Sequence, residues 1–486
     1  MSTGRANNAV RGTGGLNRRP AGELARRIRD KSISPVELLL AHLDAIERLN
    51  PKVNAICTLA VDSAMASARR AEDALTAGEP LGLLHGLPIG IKDVTATAGI
   101  RTTFGSPLYA DHVPSEDAAV VSRLKEAGAI IVGKTNTPEF AAGANTVNKV
   151  FGATRNPWNL VLSAGGSTGG GAAALVCGMI ALAEGTDFGG SLRVPAAFCG
   201  VVGLRPTAGL VPRFPVPLPW DVGSVQGPIG RTAEDAALML DAMAGASTLS
   251  PISVPPPWQN LAATVAEARD LKGFRIGYAP DIAGVGIDST IENVCRTAAS
   301  RLTDAAAVVE ELAFSLADGH AAYLTLRGET MVSRFCDRLH ETDKFGPNVR
   351  GNIEAGLKLT VRDIAAAERK RAELWNRCRV LFERIDLLLT PTTPVQPFPV
   401  EQNYPETIAG RKLATYIDWI APTFLVTLCG LPAASVPCGC TSTGLPIGLQ
   451  IIGPRFAEPQ ILRLAKLVEE MNPIGWPPIV QTPVGG

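Results

Sequence analysis

Two serines set in glycine runs constrain most strongly what this chain can become. The stretch Ser163–Ala196 reads SAGGSTGGGAAALVCGMIALAEGTDFGGSLRVPA, with Ser167 in the first run, Ser191 in the second and an apolar small-residue segment between them. Glycine runs expose backbone N–H groups and admit positive φ, which is how a chain builds an anion-binding concavity around a reacting oxygen. A serine inside such a run is a candidate nucleophile with its oxyanion donors at hand. It still needs a base. The histidines are few (His42, His85, His112, His320 and His340), so a lysine becomes a serious candidate, and Lys92 stands in the apolar stretch GLPIGIKD. An ammonium cannot accept a proton, but desolvation by Leu87, Pro88, Ile89, Gly90 and Ile91 lowers a lysine pKa. Ser167 can accept from one partner and donate to the other, so it can relay a proton between Lys92 and Ser191. Lys134 is read as structural, because it closes a strand and lacks the same apolar flank on both sides.

Two other motifs compete. GAIIVGKT, residues 128–135, fits the phosphate-loop spacing, but its middle is a β-branched run that reads as the strand itself and not as a curve opening a helix. GGSTG, residues 165–169, fits the nucleophile elbow of α/β-hydrolases; that reading makes Ser167 the nucleophile, takes its histidine from His320 or His340, and leaves the second glycine–serine site unexplained.

Composition narrows the classes. With 486 residues and 46% hydrophobic content the chain can bury a large core. Lys+Arg and Asp+Glu are 46 each, so no basic excess points to nucleic acid. The nine cysteines show neither C-x-x-C pairing nor zinc spacing, which suits reduced thiols in the cytoplasm and no metal or cofactor. The longest apolar stretch, residues 171–183, is too short to span a membrane. The first 19 residues carry four arginines and no acid, and read as a disordered tail, not a secretory signal.

Structure is expected from Pro20. Ser34-Pro35-Val36-Glu37 is a helix start with N-cap, N1 proline and capping-box glutamate, and that helix is expected to stop at Asn50-Pro51. Further helices are read over 61–77, 117–127, 171–183 and 459–471, with strands over 88–92, 129–133, 387–389, 433–436 and 447–452. Helical patterns dominate 287–383, a helical cap region. The late strands need the early ones as partners, so one interleaved α/β domain over 20–480 is expected, followed by a tail over 481–486. The prolines of 211–219 read as a rigid loop at the rim of the site.

The motifs GLPIGIKD, GKTNTPEF, GATRNPWN, GGSTGG and DFGGSLRVPA resemble, in this order, those of the amidase signature family. The resemblance continues through VVGLRPTAGLVPR, LLLTPTTP, GLPAASVPCG and GLPIGLQIIG, and covers roughly residues 20 to 480. It implies a large mixed, twisted β-sheet flanked by helices. It also implies a Ser–cis-Ser–Lys triad cleaving amides, with nucleophile Ser191, bridging cis-serine Ser167 after Gly166, and Lys92 as base. The oxyanion hole would be the N–H groups of Phe188, Gly189, Gly190 and Ser191. Position 168 is Thr where the family commonly has serine; Thr168 keeps a hydroxyl near the substrate, as does Gly166 its backbone. Phe188 stands where Ile or Thr is common. The family's amidotransferase members grip glutamine with charged groups, including an acid shortly before GLPA, whereas Ile420–Cys429 here is uncharged. That favours a stand-alone amidase for neutral, apolar or aryl amides, with esters and carbamates open. The alternative is the catalytic subunit of a glutamine-dependent aminoacyl-tRNA amidotransferase. Trp220 and Trp419 are expected in the acyl pocket, and the partner is expected to be a small amide substrate, with homodimerisation allowed.

Overall fold

The computed structural model describes residues 15–481. The expected terminal tails therefore lie largely outside the described residues. Residues 16–18, read as tail, instead form a 3-10 turn with Leu16 buried, and Asn17 donates to the Gly178 carbonyl. Ser34 caps its helix as expected, its Oγ accepting from the Glu37 N–H at 3.0 Å. The helix runs past Pro51 to Val53, and Asn54 closes it in the left-handed region at φ 55.

Eleven strands build one mixed sheet. In chain order they are β1 (Ile56–Leu59), β2 (Pro88–Lys92), β3 (Ile130–Thr135), β4 (Leu182–Asp187), β5 (Val202–Arg205), β6 (Val225–Gly230), β7 (Arg275–Tyr278), β8 (Val308–Glu311), β9 (Leu387–Pro391), β10 (Ala433–Cys440) and β11 (Pro446–Ile452). Across the sheet they lie in the order β1-β3-β2-β4-β6-β5-β10-β11-β9-β7-β8. The late pair β10–β11 sits in the middle, β10 antiparallel to β5 with Ser435 opposite Gly203. That is the single interleaved domain the sequence implied: neither half of the chain completes the sheet alone.

The helix read over 171–183 is corrected. The helix that follows Ser167, α1 (Gly169–Val176), ends early, because Gly178 takes φ 68 and turns the chain. Leu182 then opens β4, whose neighbours on both edges bury it. Small residues packed on all sides leave no amphipathic period to read. The helix α2 (Arg193–Cys199) follows Ser191. Over 287–383 helices do dominate, chiefly α3 (His320–Arg334), α4 (Pro347–Gly356) and α5 (Val361–Leu381), but the same stretch also supplies the edge strand β8. A later helix, α6 (Ala421–Leu428), is buried along its whole length. Among the described residues no helix is long and apolar enough to cross a membrane.

Candidate active site

Lys92 is the last residue of β2 and Lys134 the fifth of β3, and the two strands run parallel with Lys92 opposite Thr135 and Ile91 opposite Lys134. Successive side chains of a strand point to opposite faces, so this one-residue offset sends the two lysines to opposite sides of the sheet. Both are fully buried. The apolar flank therefore does not separate them; register does. Lys134 Nζ donates to the Thr95 carbonyl and to Thr97 Oγ1 at 2.8 Å, holding the loop after β2. Lys92 Nζ meets three hydroxyls: Ser167 Oγ at 2.6 Å, Thr168 Oγ1 at 2.9 Å and Thr186 Oγ1 at 2.9 Å. Burial pushes Lys92 down to about 7, against the opposing influence of Glu184 and Asp187. Near neutral pH its amine is thus available as a proton acceptor.

The Gly166–Ser167 peptide is cis. Ser167 is buried, and both Ser167 and Ser191 reach one cavity of about 360 Å³. No hydrogen bond joins Ser167 Oγ to Ser191 Oγ in this structure; the backbones are tied instead, Thr168 N–H donating to the Ser191 carbonyl at 3.1 Å.

The loop 187–191 is shaped by Asp187. Its carboxylate accepts from the N–H groups of Gly190 at 3.0 Å and Leu192 at 3.2 Å, and from the Arg193 guanidinium at 2.8 and 3.1 Å. Arg205 adds a contact at 3.4 Å and binds the Asp187 carbonyl at 2.8 Å. Burial alone would raise the Asp187 pKa; the two guanidiniums outweigh it and hold the carboxyl well below the usual range. Gly190 sits at φ 117, where a Cβ would meet Thr423 Oγ1, so only glycine serves. Its N–H is spent on Asp187, which takes Gly190 out of the expected four-donor set; among the described residues Phe188, Gly189 and Ser191 keep unengaged N–H groups. Tyr323 donates to the Phe188 carbonyl at 3.2 Å and Thr423 to the Gly189 carbonyl at 2.7 Å, fixing the peptide planes. The sequence reading missed Asp187, Arg193 and Arg205 as a unit, although Asp187 and Arg193 lie in the DFGGSLR motif itself.

The cavity wall departs from expectation. Phe188 faces it, its ring beside Tyr323 at 6.0 Å. Phe104, Tyr109, Phe140 and Phe335 add aromatic surface, and the proline loop, residues 213–218, rims it. Trp220 is not in the wall but 72% exposed. Trp419 is fully buried, stacked on Phe198 at 5.7 Å behind the cavity. Gly166 and Thr168 also lie outside the wall: Gly166 packs on the Ala144 backbone, and Thr168 turns its hydroxyl to Lys92. Of the uncharged stretch 420–429 only Ile420 reaches the cavity, because α6 faces the core. Nor is the wall uncharged, since Arg213, Arg327, Arg334 and Arg338 line it. Arg327, Arg334 and Arg338 come from segments far in sequence from the glycine–serine motifs, whereas Arg213 belongs to the proline loop read as the rim.

Neither rival motif survives. His320 pairs with Asp418 at 3.1 Å and packs on Phe424, and His340 is exposed; neither approaches Ser167. Lys134 sits inside β3, with no helix opening after it.

Comparison with known proteins places the chain in a family. The family model described as Amidase matches residues 37–462. The chain is 35% identical over 467 residues to a glutamyl-tRNA(Gln) amidotransferase subunit from Alkaliphilus metalliredigens, covering 90% of this chain and 94% of that one. It is 34% identical over 468 residues to an acylamidase of Rhodococcus erythropolis, covering 93% and 95%. The crystal structure of a bacterial aryl acylamidase of the amidase signature family superposes with a TM-score of 0.88 at 28% identity, over 96% of this chain and 99% of that one.

Proposed function

The chain belongs to the amidase family, and from that premise we propose that it is a stand-alone serine amidohydrolase that cleaves amides of aryl or apolar acyl groups through an acyl-enzyme on Ser191. The observation that carries this reading is the buried Lys92 amine, lowered to about 7 and 2.6 Å from Ser167 Oγ. Neutral Lys92 takes the Ser167 proton while Ser167 takes that of Ser191, so Ser191 Oγ attacks the carbonyl as an alkoxide equivalent. The oxyanion forms against the N–H groups of Gly189 and Ser191. The lysine ammonium then returns its proton through Ser167 to the departing amine nitrogen, and the C–N bond breaks. Water, activated by the same amine, attacks the acyl carbonyl and releases the acid.

The second reading, the catalytic subunit of a glutamine-dependent amidotransferase, is supported by the names of relatives. The cavity argues against it. Its arginines suit the α-carboxylate of glutamine, but the α-ammonium finds no free partner, since the one carboxylate of the wall, Asp187, is already paired with Arg193 and Arg205. Nine unpaired cysteines, including Cys295 and Cys438 with sulfurs 3.8 Å apart, support placing the enzyme in the reducing cytoplasm.

The test uses a fluorophosphonate and a competition assay on the isolated chain. The reagent labels Ser191, and an aryl anilide outcompetes glutamine by about two orders of magnitude in kcat/KM. A label on Ser167, or comparable glutamine hydrolysis, overturns the reading.

A further inference from the structure

Four guanidiniums face the cavity, and they are not equally accounted for. Arg327 and Arg334 lie seven residues apart on α3, two helical turns, and so share the face turned to the cavity. Arg338 follows from the next turn, and Arg213 reaches in from the proline loop. Arg338 is satisfied: it pairs with Glu341 at 2.7 Å and donates to the Tyr109 hydroxyl. Arg213 has Asp221 at 3.5 Å and the Ser224 carbonyl at 2.9 Å. Arg327 donates to neutral partners, Asn352 Oδ1 at 2.9 Å and Tyr416 Oη at 2.8 Å, and lies over the Phe188 ring at 5.7 Å. Arg334 makes one long contact, to Ser224 Oγ at 3.5 Å.

Among the described residues neither Arg327 nor Arg334 has a carboxylate within ion-pair distance. Burial, then Arg213, push Arg334 down to about 10, with Asp221 opposing and Arg327 adding to the fall, so it stays a cation at neutral pH. Asp187 cannot serve it, being held by Arg193 and Arg205, and Glu341 is held by Arg338 and Lys344. An arginine fork in a partly desolvated wall, repelled by two like charges, is destabilising unless an anion enters.

We propose that the substrate carries a carboxylate on the end remote from the scissile amide, and that Arg334 receives it. This rests on the amidohydrolase reading and names the substrate class within it. A carboxylate presents two coplanar oxygens to the planar guanidinium fork, a match that a lone hydroxyl or amide lacks. The aromatic side chains of the same cavity, among them Phe104, Phe140, Phe188 and Phe335, would take the apolar body of the molecule, and Arg213 and Arg327 raise the local positive potential. Arg334 is thus a specificity residue for the distal group.

The experiment compares ω-carboxyalkanoyl p-nitroanilides, from succinyl to suberyl, with their methyl esters, and repeats the comparison with the carboxylate on the amine side. At one chain length the free carboxylate raises kcat/KM at least tenfold over its ester. Arg334→Gln removes that ratio and Arg334→Lys keeps part of it; a folding defect would lower both substrates together and leave the ratio intact. Binding of 4-phenylbutyrate against 4-phenylbutanol, by calorimetry on wild type and Arg334→Gln, reads the same preference without turnover. Turnover of the esters with no carboxylate preference at any length, or a ratio indifferent to Arg334, overturns the proposal and leaves the hydrolase reading standing. Arg334-dependent carboxylate binding with no amide turned over supports the site and overturns the hydrolase reading.

Discussion

At Lys92 the amine has no water-facing surface, and its only side-chain partners among the described residues are the three hydroxyls of Ser167, Thr168 and Thr186. Burial disfavours the ammonium, so the folded protein sheds this proton near pH 7, where a surface lysine would hold it to about 10.5. The sign for catalysis follows: the competent form is the deprotonated one. The kcat/KM for an aryl amide therefore falls about tenfold per unit below pH 7 and levels off above it. Lys92→Met lowers kcat/KM by about 10²–10⁴-fold and flattens that profile. Stopped assays across pH 5–9 check both, and a Lys92→Met enzyme that keeps the wild-type limb assigns the proton elsewhere. Lys92 was legible in the sequence from its apolar neighbours. What set it apart from Lys134 was not, since both are equally buried and only the β2–β3 register aims one at Ser167.

Among elements, the strand β4, the loop 187–191 and α2 act as one piece, because the Asp187 carboxylate binds the N–H groups of Gly190 and Leu192 and the Arg193 side chain. Removing one charge from a buried cluster leaves its partners uncompensated. Asp187→Asn strands Arg193 and Arg205, both essentially unexposed, and should cost about 3–5 kcal/mol. It should also loosen the loop that presents the Gly189 and Ser191 N–H groups. Guanidinium unfolding measures the first effect, and the rate of fluorophosphonate labelling at Ser191 the second; wild-type values for both would remove Asp187 from this role. The α1–β4 segment shows why such elements are hard to read. Residues 169–187 are small, apolar and buried nearly throughout, so neither a 3.6-residue nor a two-residue period survives, and the left-handed turn at Gly178 leaves no sequence mark beyond the glycine itself.

Over the whole molecule, the sheet order joins distant parts of the chain. The strand β5 has β6 on one edge and β10 on the other, and β10 arrives more than two hundred residues later. A chain ending at residue 384 loses β9, β10 and β11 from the centre of the sheet, exposing the β5 edge and the face of α2 that packs on β10 and β11. Such a fragment should be recovered insoluble, while the full chain unfolds in one transition. A soluble fragment with native-like circular dichroism would show that the early strands form an independent unit.

By itself, the sequence determined the family, the α/β layering, the two glycine–serine sites and the apolar surroundings of Lys92, because these rest on local patterns: glycine runs, caps, apolar periods and motif order. Tertiary structure alone decided which lysine meets Ser167, which loop N–H groups stay free, and what lines the cavity. Trp220 and Trp419 are bulky and lie near the right motifs, yet one faces solvent and the other the core. The arginines of the wall come from α3, from the 3-10 segment that follows it and from a loop more than a hundred residues earlier. A side chain's destination depends on strand register, on the face its helix turns inward and on which distant segment packs opposite, and none of these is encoded within a local window of sequence.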